Sequence, residues 1–141
     1  MNDLERFVTA QARVWQTAEA ELVAGEKVSH WMWFVFPQIA GLGRSDLARQ
    51  YGIRDLAEAR AYLAHPLLGP RLRRGVELML SHSGKTAHAI LGRPDDLKLR
   101  SCLTLFAAAA NKADRALFEE GLARFYGGAR DPLTQAILEK G

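Results

Sequence analysis

The residues best suited to chemistry sit in one stretch, Ser29-His30-Trp31-Met32-Trp33-Phe34-Val35-Phe36-Pro37-Gln38, and in the run behind it, Gly41-Leu42-Gly43-Arg44-Ser45. Aromatic rings bury large areas, and a histidine beside them commonly serves as hydrogen-bonded scaffolding, so one reading of the block is core. The other is a pocket walled by Trp31 and Trp33, with His30 and Gln38 as its oriented polar groups. His30 is then the acid/base candidate, because imidazole is the side chain that both gives and takes protons near neutrality. Gly43, the Arg44 guanidinium and the Ser45 hydroxyl, at a helix start, would gather donors suited to a phosphate or carboxylate.

A second candidate opens the helix that begins Asp95-Asp96-Leu97-Lys98. Lys98, Ser101 and Cys102 lie three and four residues apart and share a face, which is the spacing a lysine needs to activate a hydroxyl or thiol. The order reverses the Ser-x-x-Lys of acyl enzymes, and Cys102 begins the most apolar stretch, where a cysteine behaves as a small hydrophobe. Lys98 can equally pair with Asp95. Other chemistries lack their spacing. His30, His65, His82 and His88 show no metal pattern. Gly41-x-Gly43 lacks the Lys-Ser/Thr of a nucleotide-hydrolase loop and follows no strand, which removes a dinucleotide fold as well. No metal or cofactor is therefore expected.

These groups need helices to position them. At 141 residues, 48% hydrophobic and 25% charged, the chain has the composition of one globular domain spanning 1–141. No apolar run approaches the ~20 residues of a membrane span. The lone Cys102 and the absence of a signal-like N-terminus fit a cytoplasmic protein. The periodicity predicts a helix over 2–24, with Asn2 and Glu5 as a capping box and Gly25 as its stop. A short helix capped by Ser29 follows, then helices opened by Ser45, Asp55, Gly69-Pro70 and Thr86. Asp95 is expected to cap a helix over 96–110, which is apolar all round and ends in four alanines, the mark of a bundle's central helix. Helices over 112–126 and from Asp131-Pro132, with Leu133, Ile137 and Leu138 inward, complete the chain. The fold class is all-α: a single-domain bundle of about seven to nine helices around an alanine-rich centre.

The block from Ser29 to Gln38 with Gly41-Leu42-Gly43-Arg44-Ser45 resembles the bacterial domain-of-unknown-function 1810 family. The likeness continues through Tyr51-Gly52-Ile53, Tyr62-Leu63-x-His65-Pro66-x-Leu68-Gly69 and Asp96-x-x-Lys98-Leu99-x-Ser101, with Leu103-Thr104-Leu105-Phe106. It implies a small all-helical cytosolic domain and no established activity. The family pattern singles out His30, Trp31, Trp33, Gln38, Gly43, Ser45, Tyr51, His65, Lys98 and Ser101. Several are polar where a pure core needs none.

The expectation is a site for a small phosphorylated or nucleotide-like anion. His30 and Lys98 would be its catalytic candidates, and Trp31, Trp33, Gln38, Gly43, Arg44, Ser45, Tyr51 and Ser101 its ligand contacts. The alternative is an interaction module, such as a homodimer through an exposed aromatic or alanine face. Nucleic-acid binding ranks last. The net charge is only +3, and of the arginines only Arg71, Arg73 and Arg74 cluster.

Overall fold

The computed structural model describes residues 3–140. Among these lie nine helices and no strand: α1 (Glu5–Ala24), α2 (Met32–Val35), α3 (Asp46–Gln50), α4 (Leu56–Ala64), α5 (Leu68–Leu80), α6 (Ala87–Leu91), α7 (Asp95–Ala109), α8 (Lys112–Tyr126) and α9 (Pro132–Lys140). The chain is all-α, as its periodicity implies. Its one extended pairing among the described residues is a parallel bridge between Ile39 and Ile53.

The apolar helix α7 is the centre. Leu99, Cys102, Leu103, Leu105 and Phe106 are buried along it, and it packs against α4, α6, α8 and α9. Of the alanine run, Ala107 and Ala109 face the core and Ala108 faces out. The approach of α8 depends on a glycine: a Cβ on Gly121 would stand 3.0 Å from Leu103 Cδ1. Rings then link the helices. Phe7 meets Tyr62 at 5.2 Å, Tyr62 meets Phe106 at 5.4 Å, and Phe106 meets Phe118 at 6.0 Å. Such pairs add about 0.5–1.5 kcal/mol each beyond their burial.

Several helix ends form as their sequence signals dictate. Gly25 takes the left-handed conformation that closes α1 (φ 77°). Ser45, Asp55 and Thr86 accept the backbone N–H three residues on, and Asp131 accepts that of Thr134. Others differ. The predicted Asn2 cap lies outside the described residues, and α1 begins at Glu5 after Leu4, which offers no capping side chain. Ser29 does not cap α2, because its hydroxyl is taken by Glu21. α5 opens at Leu68, ahead of Pro70, because His65 Nδ1 accepts the N–H groups of Leu67 (3.1 Å) and Leu68 (3.2 Å). Asp95 lies inside α7 rather than at its cap, its carboxylate drawn to two lysines. On α9, Thr134 is the fully buried residue and Leu133 is 65% exposed, since the Thr104–Asp131–Thr134 hydrogen bonds turn that face inward.

Candidate functional site

The site is built on the irregular chain between α1 and α4. Glu21, in the last turn of α1, folds this chain back on itself. Its carboxylate accepts the N–H groups of Val28 (2.8 Å) and Ser29 (2.9 Å), the Ser29 hydroxyl (2.7 Å) and the Trp31 indole Nε1–H (2.8 Å). Burial alone would raise its pKa, but these donors outweigh that and hold it at about 2. Trp31 is thereby fixed, 1% exposed, with Lys27 Nζ 5.1 Å from its ring centroid. Lys27 reaches Asp95 Oδ2 at 2.9 Å, and the other oxygen of Asp95 meets Lys98 Nζ at 3.3 Å. Lys98 Nζ in turn stands 4.2 Å from the centroid of Trp33. One carboxylate is thus shared by two ammonium groups, so it neutralises Lys98 only in part.

The Trp33 end of this chain opens on a cavity of about 180 Å³ lined by Trp33, Gln38, Ile39, Leu42, Gly43, Ala48, Tyr51, Gly52 and Lys98. Its back wall is held by the bridge, in which Ile53 N–H donates to Gln38 O (2.8 Å) and Ala40 N–H to Ile53 O (2.7 Å). Small residues let these segments close: a Cβ on Gly52 would lie 2.8 Å from Ala40 Cα, and one on Gly43 would lie 2.9 Å from Ala48 Cβ. Arg6 clamps the far side by donating to Gln50 O (2.8 Å), Gly52 O (2.8 Å) and the buried Glu58 (3.1 Å). The Tyr51 ring packs edge-on to Phe34 at 4.7 Å. Gln38, 9% exposed, spends its backbone on the bridge, while its carboxamide has no hydrogen-bond partner among the described residues.

The cavity therefore gathers Trp33, Gln38, Gly43, Tyr51 and Lys98 from the residues singled out in the sequence. Trp31 stands behind it, bound to Glu21. Ser101 is buried in α7 and gives its hydroxyl to Leu97 O (3.3 Å). Cys102 is fully buried, and burial pushes its thiol well above the usual range, the opposite of nucleophile activation. Ser45 is exposed and caps α3, Arg44 next to it is exposed and unpaired among the described residues, and His30 is exposed and outside the lining.

The pairing of Lys98 with Asp95 is readable from their spacing and forms at 3.3 Å, but no sequence signal marks Lys27 as a second partner of Asp95, or Glu21. Lys27 and Glu21 look like ordinary surface residues, and nothing in the aromatic block, read as one short helix, points to what holds it. The remaining candidates have internal roles. Arg71 reaches Gln11 Oε1 (3.3 Å), Arg73 reaches Asp114 (3.1 Å) and Arg74 reaches Glu19 (3.3 Å), so each member of the arginine cluster already has an intramolecular partner. His82 Nε2 contacts Leu22 O (2.7 Å) at the end of α1, and His88 lies 3.5 Å from Asp96. No group of three or more metal-ligating side chains occurs among the described residues, and no helix is long and apolar enough to cross a membrane.

The sequence profile described as "Protein of unknown function (DUF1810)" matches residues 1–138. The chain is also similar to a solved structure, the conserved hypothetical protein Rv1873 from Mycobacterium tuberculosis. The two are 51% identical, with a TM-score of 0.94 over 98% of this chain and 97% of that one. No curated protein matches.

Proposed function

We propose, for a chain that belongs to the DUF1810 family, that the Trp33–Lys98 cavity binds a small anion bearing a planar ring, of the phosphorylated or nucleotide-like class. The observation that carries this is the convergence of an unshared Gln38 carboxamide and a Lys98 ammonium on two aromatic walls, Trp33 and Tyr51. Lys98 has three N–H donors, and Asp95 occupies one face of the ammonium, so donors remain for a ligand. The Lys98 ammonium, sharing its counter-ion with Lys27, favours an anion, and Gln38 can both donate to and accept from a ring edge.

Size narrows the class. A cavity of about 180 Å³ compares with the ~150 Å³ that holds one benzene ring. One ring enters, and the acidic group stays at the mouth, where Gly43 is exposed and the free Arg44 follows it. Binding rather than covalent catalysis is the reading supported, because the nearby hydroxyl and thiol, Ser101 and Cys102, are sealed in α7.

The test is thermal denaturation with adenosine 5′-monophosphate, guanosine 5′-monophosphate, ribose 5-phosphate and inorganic phosphate. A ligand at about 100 times its Kd stabilises by about 2.7 kcal/mol, a rise in Tm of several degrees. At least one ring-bearing phosphate should give this rise, Lys98→Ala should abolish it and Gln38→Ala should reduce it. If no probe moves Tm, or if Lys98→Ala responds as the unmodified protein does, the reading fails.

A further inference from the structure

The bridge that backs the first cavity is also the wall of a second. Ile39 lines both, and beyond it a cavity of about 550 Å³ lies between the start of α4 and the end of α9. Its apolar lining is aliphatic: Ile39, Leu56, Ile137 and Leu138, with no aromatic side chain. Leu56, Ile137 and Leu138 are only partly buried by the fold, so their side chains keep apolar surface that an occupant would cover.

The polar rim divides into used and unused groups. Asp55 caps α4 by accepting Glu58 N–H at 2.9 Å, and Arg54 pairs with Glu58 at 3.3 Å. Arg60 and Lys140 have no partner among the described residues. The spare charge is therefore positive, while the spare surface is aliphatic. We infer that this cavity is a second binding site, distinct from the Trp33–Lys98 cavity, for an amphiphilic monoanion: an unbranched aliphatic carboxylate whose chain covers Leu56, Ile137 and Leu138 and whose head meets Arg60. A volume of about 550 Å³ falls in the usual range of small-ligand pockets, about 300–1,000 Å³. A lining without rings gives a planar ligand nothing to stack on, which separates this site from the first.

Calorimetric titration with butanoate, hexanoate and octanoate tests the inference, with octylamine as the cationic control. Affinity should rise about fourfold per added methylene, and octylamine should not bind. Arg60→Gln removes only an unpaired, exposed guanidinium, so the variant folds; octanoate should bind it at least about tenfold more weakly. Lys98→Ala should bind octanoate as the unmodified protein does, which keeps this result separate from the fate of the first cavity. Absence of octanoate binding, affinity independent of chain length, equal affinity in Arg60→Gln, or loss of binding in Lys98→Ala would each overturn the assignment.

Discussion

Trp31 and Trp33 are two residues apart and belong to opposite ends of one chain of charges. At the inner end, the Trp31 indole is bound by Glu21, its ring is covered by Lys27, and Lys27 is neutralised by Asp95. At the outer end, Trp33 faces Lys98, which shares that same carboxylate, and Gln38 beside them has no protein partner among the described residues. The residue types are nearly the same at both ends. What separates scaffold from site is saturation: the inner groups have spent their hydrogen bonds and the outer ones have not. Changes at the inner end should therefore cost stability, and changes at the outer end should cost binding.

The largest effect should come from Trp31→Ala, which empties a fully buried indole site and is expected to cost about 3–5 kcal/mol in denaturant unfolding. A loss below about 1 kcal/mol would mean that the inner end is not scaffold. Asp95→Ala strands Lys27, whose side chain is 8% exposed. It should cost about 2–3 kcal/mol, below the range for fully buried pairs because Asp95 itself keeps 17% exposure.

Glu21 ties the inner end to pH. Its folded pKa of about 2 lies below the ordinary 4.5, so its contribution is complete above about pH 4.5 and is lost as the pH falls toward 2. Glu21→Gln should lower stability at pH 7 and flatten the acid limb between those values, read from unfolding at pH 7, 5 and 3. An unchanged acid limb would remove Glu21 from the account. Smaller still, His65→Ala should cost about 1 kcal/mol through the lost cap on α5. The smallest effect on stability belongs to the outer end: Lys98→Ala should stay within about 1 kcal/mol of the unmodified protein while losing the ligand response.

The legible parts of this fold were those governed by local rules. Asp55, Ser45 and Gly25 act within three or four residues of their helix ends, and the apolar stripe of α7 states its own centrality. The illegible parts depend on distant partners. Asp95 carries the signature of a cap and of a partner for the nearby Lys98, but its second partner, Lys27, lies far away in sequence. His65 carries no local signature of a cap, and its ring nitrogen proves to start the next helix. Within the site, Trp33, Gln38, Tyr51 and Lys98 were readable as a set from the family pattern. Their convergence was not, because it depends on a bridge between Ile39 and Ile53 that no periodicity announces.

The most direct test of the central claim uses the tryptophans as reporters. In an amide-correlated NMR titration with adenosine 5′-monophosphate, the indole N–H signals of Trp15, Trp31 and Trp33 are followed separately. The Trp33 signal should shift saturably, with Trp15 unmoved and Trp31, held by Glu21, nearly so. A titration in which the Trp33 signal stays fixed, or in which Trp31 moves as far as Trp33, would contradict that claim.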